Sequence, residues 1–189
     1  MSKHAKTVRT GLDAAALAAE PVDHEAICFR DCDFRGADFG TRRFVDCVFE
    51  DTNLTEVRWR GATLNGVAFK GAKLLGADLA QLRTAFLSLS FEDTRMDYAN
   101  LGGLGLAKTR FVGCSLVDVG FVNADLSGAV FVRCDLSGAV FRGTNLSGAD
   151  LRGAEGFVID PEANKIQKAK VSVHGLAGFL TRYKLEVDV

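Results

Sequence analysis

The feature that most constrains this chain is a five-residue period. From Phe29, steps of five land on Phe34, Phe39, Phe44, Phe49, Leu54, Trp59, Leu64, Phe69, Leu74 and Leu79. After a jump of seven, the series resumes at Phe86, Phe91, Met96, Leu101, Leu106, Phe111, Leu116, Phe121, Leu126, Phe131, Leu136, Phe141, Leu146 and Leu151. Twelve of the 14 phenylalanines stand on this lattice, so the period is a property of the chain rather than of the reading frame. A second column, two residues earlier, is small: Cys32, Ala37, Cys47, Thr52, Val57, Ala62, Val67, Ala72 and Ala77, then Ala124, Ala129, Cys134, Ala139, Thr144 and Ala149. An α-helix would smear residues five apart around its circumference, and a straight strand would send them to alternate faces. The chain keeps them all inside only by turning a corner in every unit, which the Gly and polar residues late in the unit suit.

The number of sides follows from the same column. Every fourth centre gives Phe29, Phe49, Phe69, Phe91, Phe111, Phe131 and Leu151, a step of 20 that becomes 22 across the jump. A nearly all-Phe column implies like residues stacked on successive coils, so four units make one coil. The expected fold is an all-β solenoid, a quadrilateral parallel β-helix of about six coils, on the order of 30 Å long at the usual strand spacing. The jump implies a two-residue insertion around Ala80 to Ala85, a bump on an otherwise regular shaft. The lattice predicts a shaft over residues 25–155. An N-terminal cap over 1–24 carries a short helix near Asp13 to Glu20, stopped by Pro21. A C-terminal cap covers 156–189. There Ser172 is an N-cap and Val173, Leu176, Ala177 and Leu180 fall at helical spacing. Leu185 to Val189 alternate as a strand.

Composition sets the remaining bounds. With 48% hydrophobic and 25% charged residues the chain has a core to bury, and a net charge of −1 leaves no basic excess for nucleic-acid phosphates, so direct nucleic-acid binding is not expected. The apolar stretch Leu12–Ala19 is short and broken by Asp13, so no signal peptide or membrane span is predicted and a cytoplasmic setting follows. The five cysteines include no CxxC pair, which argues against a disulfide framework or a zinc site. Cys32, Cys47, Cys114 and Cys134 are expected as buried thiols and Cys28 as an accessible one. Arg42, at a small interior position, is expected to swing outward or to pair with a carboxylate. His4, His24 and His174 are expected outside the shaft. No hydrolase, phosphate-loop or dinucleotide motif is present, and Gly102, Gly103 and Gly105 fit repeat corners. No catalytic residue, cofactor or metal site is expected, and a packed interior leaves no substrate cavity.

Function then falls to the surface. Glu50, Asp51, Glu92, Asp93 and Asp97 form a candidate acidic surface, with Lys70, Lys73, Arg95 and Arg110 interspersed; the side holding Arg58, Arg60 and Arg142 is net positive. Gln81, Leu82 and Arg83 form the candidate bump. The apolar C-terminal helix offers Val173, Leu176, Phe179, Leu180 and Tyr183 to a second copy.

The lattice, best kept as A-D-L-S-G, A-V-F-V-R and C-D-L-S-G between Ala124 and Gly138, resembles the pentapeptide-repeat family over roughly residues 25–155. The tail Phe157-Val158-Ile159-Asp160-Pro161, followed by Asn164-Lys165-Ile166 and Leu180-Thr181-Arg182-Tyr183-Lys184-Leu185-Glu186-Val187, is similar to that of the Qnr quinolone-resistance proteins and of albicidin and microcin immunity proteins. The resemblance implies a right-handed coil and a homodimer joined through the C-terminal helix. It implies a rod of duplex-DNA dimensions that protects DNA gyrase or topoisomerase IV from poisons. The Qnr proteins carry two projecting loops where this chain has one short insertion. The alternative reading is a structural or protein-interaction solenoid without a topoisomerase role.

Overall fold

The computed structural model describes residues 7–184. Eleven short strands wind into one parallel coil: β1 (Thr7–Thr10), β2 (Asp23–Glu25), β3 (Ile27–Arg30), β4 (Arg43–Val45), β5 (Val48–Glu50), β6 (Thr63–Asn65), β7 (Val67–Lys70), β8 (Leu89–Glu92), β9 (Arg110–Val112), β10 (Val130–Asp135) and β11 (Asp150–Glu155). One side of the shaft is an eight-stranded parallel sheet in the order β1-β3-β5-β7-β8-β9-β10-β11. A second side begins as the sheet β2-β4-β6. The other two sides are held by single parallel bridges, such as Asp33 to Asn53 to Lys73 and Asp78 to Asn100 to Gly120.

The register verifies the four-sided reading. Phe29 pairs with Phe49, Phe49 with Phe69, Phe69 with Phe91, Phe91 with Phe111 and Phe111 with Phe131. Their rings stack at centroid separations of 5.3, 5.4, 5.3, 5.1 and 4.9 Å. Leu151 closes the column and is fully buried. The period is enforced at the corners. The carbonyl of a central residue commonly accepts from the N–H three residues on, as Phe34 does from Ala37 and Trp59 from Ala62, both at 2.9 Å. The residue before that donor has positive φ, the conformation that favours Gly, Asp and Asn.

The small inner column has a second task. At several positions where it carries a hydroxyl or thiol, the group donates to backbone carbonyls of the coil. Thr52 Oγ1 reaches Phe29 O and Glu50 O, both at 3.0 Å, and Thr94 Oγ1 reaches Phe69 O at 3.2 Å and Glu92 O at 2.9 Å. Cys47 and Cys134 repeat the pattern with sulfur. These cysteines are buried as expected, and a hydrogen bond that the Cys114 thiol donates to Cys134 on the next coil, together with burial, holds Cys114 above its ordinary range. Cys28 departs from expectation. It is buried, its sulfur lies 3.5 Å from Glu50 Oε2, and desolvation first, then that contact, pushes the thiol up to about 11.

The coil extends past both expected boundaries. β1 pairs with β3, so a coil precedes residue 25, and helix α1 (Ala14–Ala19) forms part of it, capped by Asp13 Oδ1 at 2.7 Å from Ala16 N. At the other end, Asn145 bridges Lys165 and Asp150 bridges Lys170, with Ile166 and Val171 packed on the core. His24 is a correction: it stands five residues before Phe29 on the lattice, is 2% exposed and stacks on Phe44 at 4.9 Å. Arg42 is another. It stays inside, 7% exposed, and its guanidinium donates to the carbonyls of Leu17 (2.7 Å), Pro21 (2.9 Å) and Glu20 (3.5 Å), with His24 Nε2 at 3.3 Å. Backbone acceptors at the C-terminal end of α1 take the place of the expected carboxylate.

Candidate partner-binding surfaces

The bump differs from expectation in position and composition. Thr63 still bridges Arg83 with a step of 20, whereas Val67 pairs with Leu89 with a step of 22, so the two extra residues fall after Arg83. Leu82 occupies the small inner position and is buried, so it is not part of the projecting surface. Gln81 lies in the 3-10 turn Leu79–Gln81, where its Nε2 donates to Asp78 Oδ2 at 2.6 Å. Thr84 holds the central position of its unit yet is exposed, and Leu87 packs against the core instead. The lattice jump therefore runs from position 84 to Phe91, not from Leu79 to Phe86. Phe86, assigned to the interior by periodicity, is 85% exposed at the left-handed corner, with φ 64°. The physical reason is the two-residue excess. A Thr in the central slot gains little by burial, and the slack lets Leu87 fill the space while Phe86 turns out.

The candidate acidic surface is largely engaged. Arg30 Nε donates to Glu50 Oε2 at 2.6 Å, and Lys70 lies 3.4 Å from Glu92. The Arg30 contact holds the Glu50 carboxyl below its usual range. Asp51 and Asp93 are corner residues with φ of 49° and 47°. Asp93 Oδ1 occupies the volume that a Cβ on Gly113 would need, so a larger residue at the corner above would require the Asp93 side chain to turn away. Asp97 accepts from Ser115 Oγ and from Val117 N at 3.3 Å, and lies 3.7 Å from Arg95. On the opposite side Arg58 pairs with Asp38 at 3.5 Å. The structure places the five acidic residues on two adjoining sides and sets cations beside three of them.

The C-terminal segment docks on the last coil. After Ser172, whose Oγ accepts from Gly175 N at 3.1 Å, come the 3-10 turn His174–Leu176, α2 (Ala177–Leu180) and a further 3-10 turn Thr181–Tyr183. Phe179 turns inward, its ring 5.6 Å from that of Phe157. Gly178 lies so close to Phe157 that a Cβ would strike its carbonyl and ring, with the ring carbons at 2.9 Å. Arg182 Nη1 reaches Asp160 at 2.6 and 2.7 Å and Glu162 at 2.9 Å, and Tyr183 OH donates to Glu162 at 3.2 Å. The Arg182 guanidinium holds the Asp160 carboxyl below its usual range. Val173 is 82% exposed, and Leu176, Leu180 and Tyr183 are also exposed. Beside them an open groove of about 1120 Å³ runs between the last coil and this segment, lined by Arg133, Arg152, Glu155 and His174 among others. The expected strand Leu185–Val189 lies outside the described residues. Among the described residues no group of side chains is arranged to hold a metal ion, and no helix is long and apolar enough to cross a membrane.

A shaft of four-sided parallel coils, with one bulky apolar and one smaller residue in most units turned inside and corners of positive φ, defines the class as a parallel β-solenoid of five-residue units. The chain is similar to the pentapeptide-repeat proteins: the model of the family "Pentapeptide repeats" matches residues 43–81 and 121–155 in eight copies. No curated protein sequence matches it. Among solved structures it is similar to a trypsin-treated variant of QnrB1, described as a plasmid-mediated fluoroquinolone resistance protein, with 20% identity, 97% of this chain and 99% of that chain covered, and a TM-score of 0.55. Full-length QnrB1 aligns at 18% identity over 95% and 100% of the two chains, with a TM-score of 0.40. HetL of the cyanobacterium Nostoc, described as involved in regulating heterocyst differentiation, aligns at 19% identity over 79% and 85%, with a TM-score of 0.26.

Proposed function

We propose that this protein binds a type II topoisomerase, DNA gyrase or topoisomerase IV, and protects it from a poison by occupying or remodelling the surface that normally holds DNA. The carrying observation is the C-terminal plug. The tail residues on which the Qnr resemblance rests are those that dock it, with Phe157 against Phe179 and Asp160 with Arg182. A solenoid of near-neutral net charge, ending in a docked apolar segment, supports recognition by shape and side-chain contact. The fluoroquinolone resistance ascribed to QnrB1, which shares the fold, fits this reading. The acidic set Glu50, Asp51, Glu92, Asp93 and Asp97 is one contact surface. The corner beyond Arg83 is the other, and the cations beside Glu50, Glu92 and Asp97 favour the corner.

The test is gyrase supercoiling in the presence of a fluoroquinolone or another poison, with the protein titrated in, alongside direct binding to gyrase. Rescue with no turnover of the protein is expected. Without rescue by any poison class and without binding, the scaffold reading takes its place.

A further inference from the structure

Corner positions of the shaft carry Gly, Asp, Asn, Glu, Ala, Lys or Arg, residues that are small or that tolerate solvent and positive φ. Two break the pattern. Phe86 and Tyr98 both have φ of 64°, a backbone state that is uncommon for bulky side chains, and they are 85% and 68% exposed. Among the described residues they are the only aromatics at positive φ. In chain order the corners of this coil are Phe86, Asp93, Tyr98 and Gly103, so the two aromatics stand on diagonally opposite edges. They differ in height by half a coil, roughly 2.4 Å at the usual strand spacing.

Each aromatic also stands clear of the coil beneath. Below Phe86 the same corner is Gly66, and below Tyr98 it is Gly76. The next corners above are Lys108 and Asp118. The backbone around Phe86 is anchored by buried Leu82 on one side and buried Leu89 on the other, with Leu87 on the core and Leu87 N bonded to Thr84 O at 3.2 Å. Tyr98 N is bonded to Val117 O at 2.9 Å. Both rings are thus presented from a rigid backbone, which lowers the entropic cost of using them as contacts.

We propose that Phe86 and Tyr98 are paired anchors by which a single protein partner grips the shaft across its diagonal. Because the rings face away from each other, a flat partner reaches only one of them. A partner that uses both has a cleft with an apolar recess on each wall. Exposed aromatics on a rigid frame are the side chains that most often dominate protein interfaces. The proposal deepens the topoisomerase reading and rests on it: the cleft belongs to the enzyme the protein protects.

The experiment measures the affinity of gyrase for the wild type, Phe86→Gly, Tyr98→Gly and the double variant. Glycine suits the left-handed corner, so the melting temperature is expected to hold or rise while binding is lost. Each single change is expected to weaken binding at least tenfold. The double variant is expected to lose about the product of the two, because the sites are far apart and independent. Should either glycine variant melt lower, Phe86→Asn and Tyr98→Asn, which also suit the corner, replace them. Wild-type binding that survives either single change overturns the diagonal grip and leaves the topoisomerase reading standing. Absence of wild-type binding to gyrase overturns both. Ring-dependent binding of the wild type to duplex or single-stranded DNA overturns the protein partner in favour of base stacking.

Discussion

Two phenylalanines that the sequence pattern treats alike do opposite things. Phe91 stacks between Phe69 and Phe111 at 5.3 and 5.1 Å, whereas Phe86 stands in solvent. Phe91→Ala is expected to cost about 3–5 kcal/mol, the range for a fully packed aromatic, whereas Phe86→Gly relieves a left-handed corner and costs nothing; urea unfolding of the two variants against wild type checks both. The difference shows what periodicity resolves. It ranks positions by apolarity, and across the insertion Phe86 outranks Thr84 although Thr84 holds the central slot. What decides the matter is that Leu87 and Leu89 follow, so the core is filled without Phe86. Arg42 and His24 escaped for a related reason: the lattice treats its inner positions as apolar and has no place for a polar pair closing the coil. Thr94 is a further residue whose role needs geometry. Its single O–H lies within reach of the Phe69 and Glu92 carbonyls, so Thr94→Val, nearly equal in volume, is expected to cost about 1–2 kcal/mol, and a change much below that range would mean that the Phe69 carbonyl finds another donor.

The first coil is the element where pH acts. Arg42 binds the carbonyls that end α1 while His24 lies between Arg42 and Phe44. Burial first, and then the Arg42 charge, lowers the pKa of His24 from its ordinary 6.5; Glu20 and Asp23 oppose the shift and Arg9 adds to it. The unfolded chain therefore binds more protons than the folded one between pH 6.5 and the lower folded value. The stabilisation present above pH 6.5 is lost as pH falls through that window, at no more than about 1.4 kcal/mol per pH unit for one proton. Urea midpoints at pH 7.5 and 5.5 are expected to show the loss. His24→Phe, which extends the column of Phe44 with an aromatic that cannot titrate, is expected to flatten the dependence; an unchanged slope would assign it elsewhere. α1 itself was legible, since Asp13 and Pro21 bracket it, but its place in a coil was not, because residues 7–23 carry no five-residue signal. The C-terminal segment was legible in its spacing. The inward turn of Phe179 was not, because it depends on Gly178 lying against Phe157.

For the whole molecule, the four-sided shaft could be read from spacing alone, because a 20-residue step repeated down the Phe column admits no other stacking. How the shaft ends is set by surfaces. Val173, Leu176, Leu180 and Tyr183 face outward beyond the last coil, while Phe179 is spent on the plug. An apolar set of this kind at the end of a filled core fits a two-fold partner copy, in which each chain covers the other's Val173 and Leu176. Light scattering at micromolar concentration is expected to give twice the mass of one chain. The double change Val173→Glu and Leu176→Glu is expected to give a monomer, because both side chains are exposed in the single chain and their loss leaves the shaft intact. An unchanged melting temperature of the shaft would confirm that the fold survived. The contact is apolar, so the dimer is expected to persist when salt is raised well above 0.15 M, where the screening length falls below about 8 Å. Dissociation by salt would instead assign the association to ion pairs on the charged last coil, where Lys165, Lys168 and Lys170 lie. A wild type that stays monomeric at these concentrations would show that the exposed residues serve another partner.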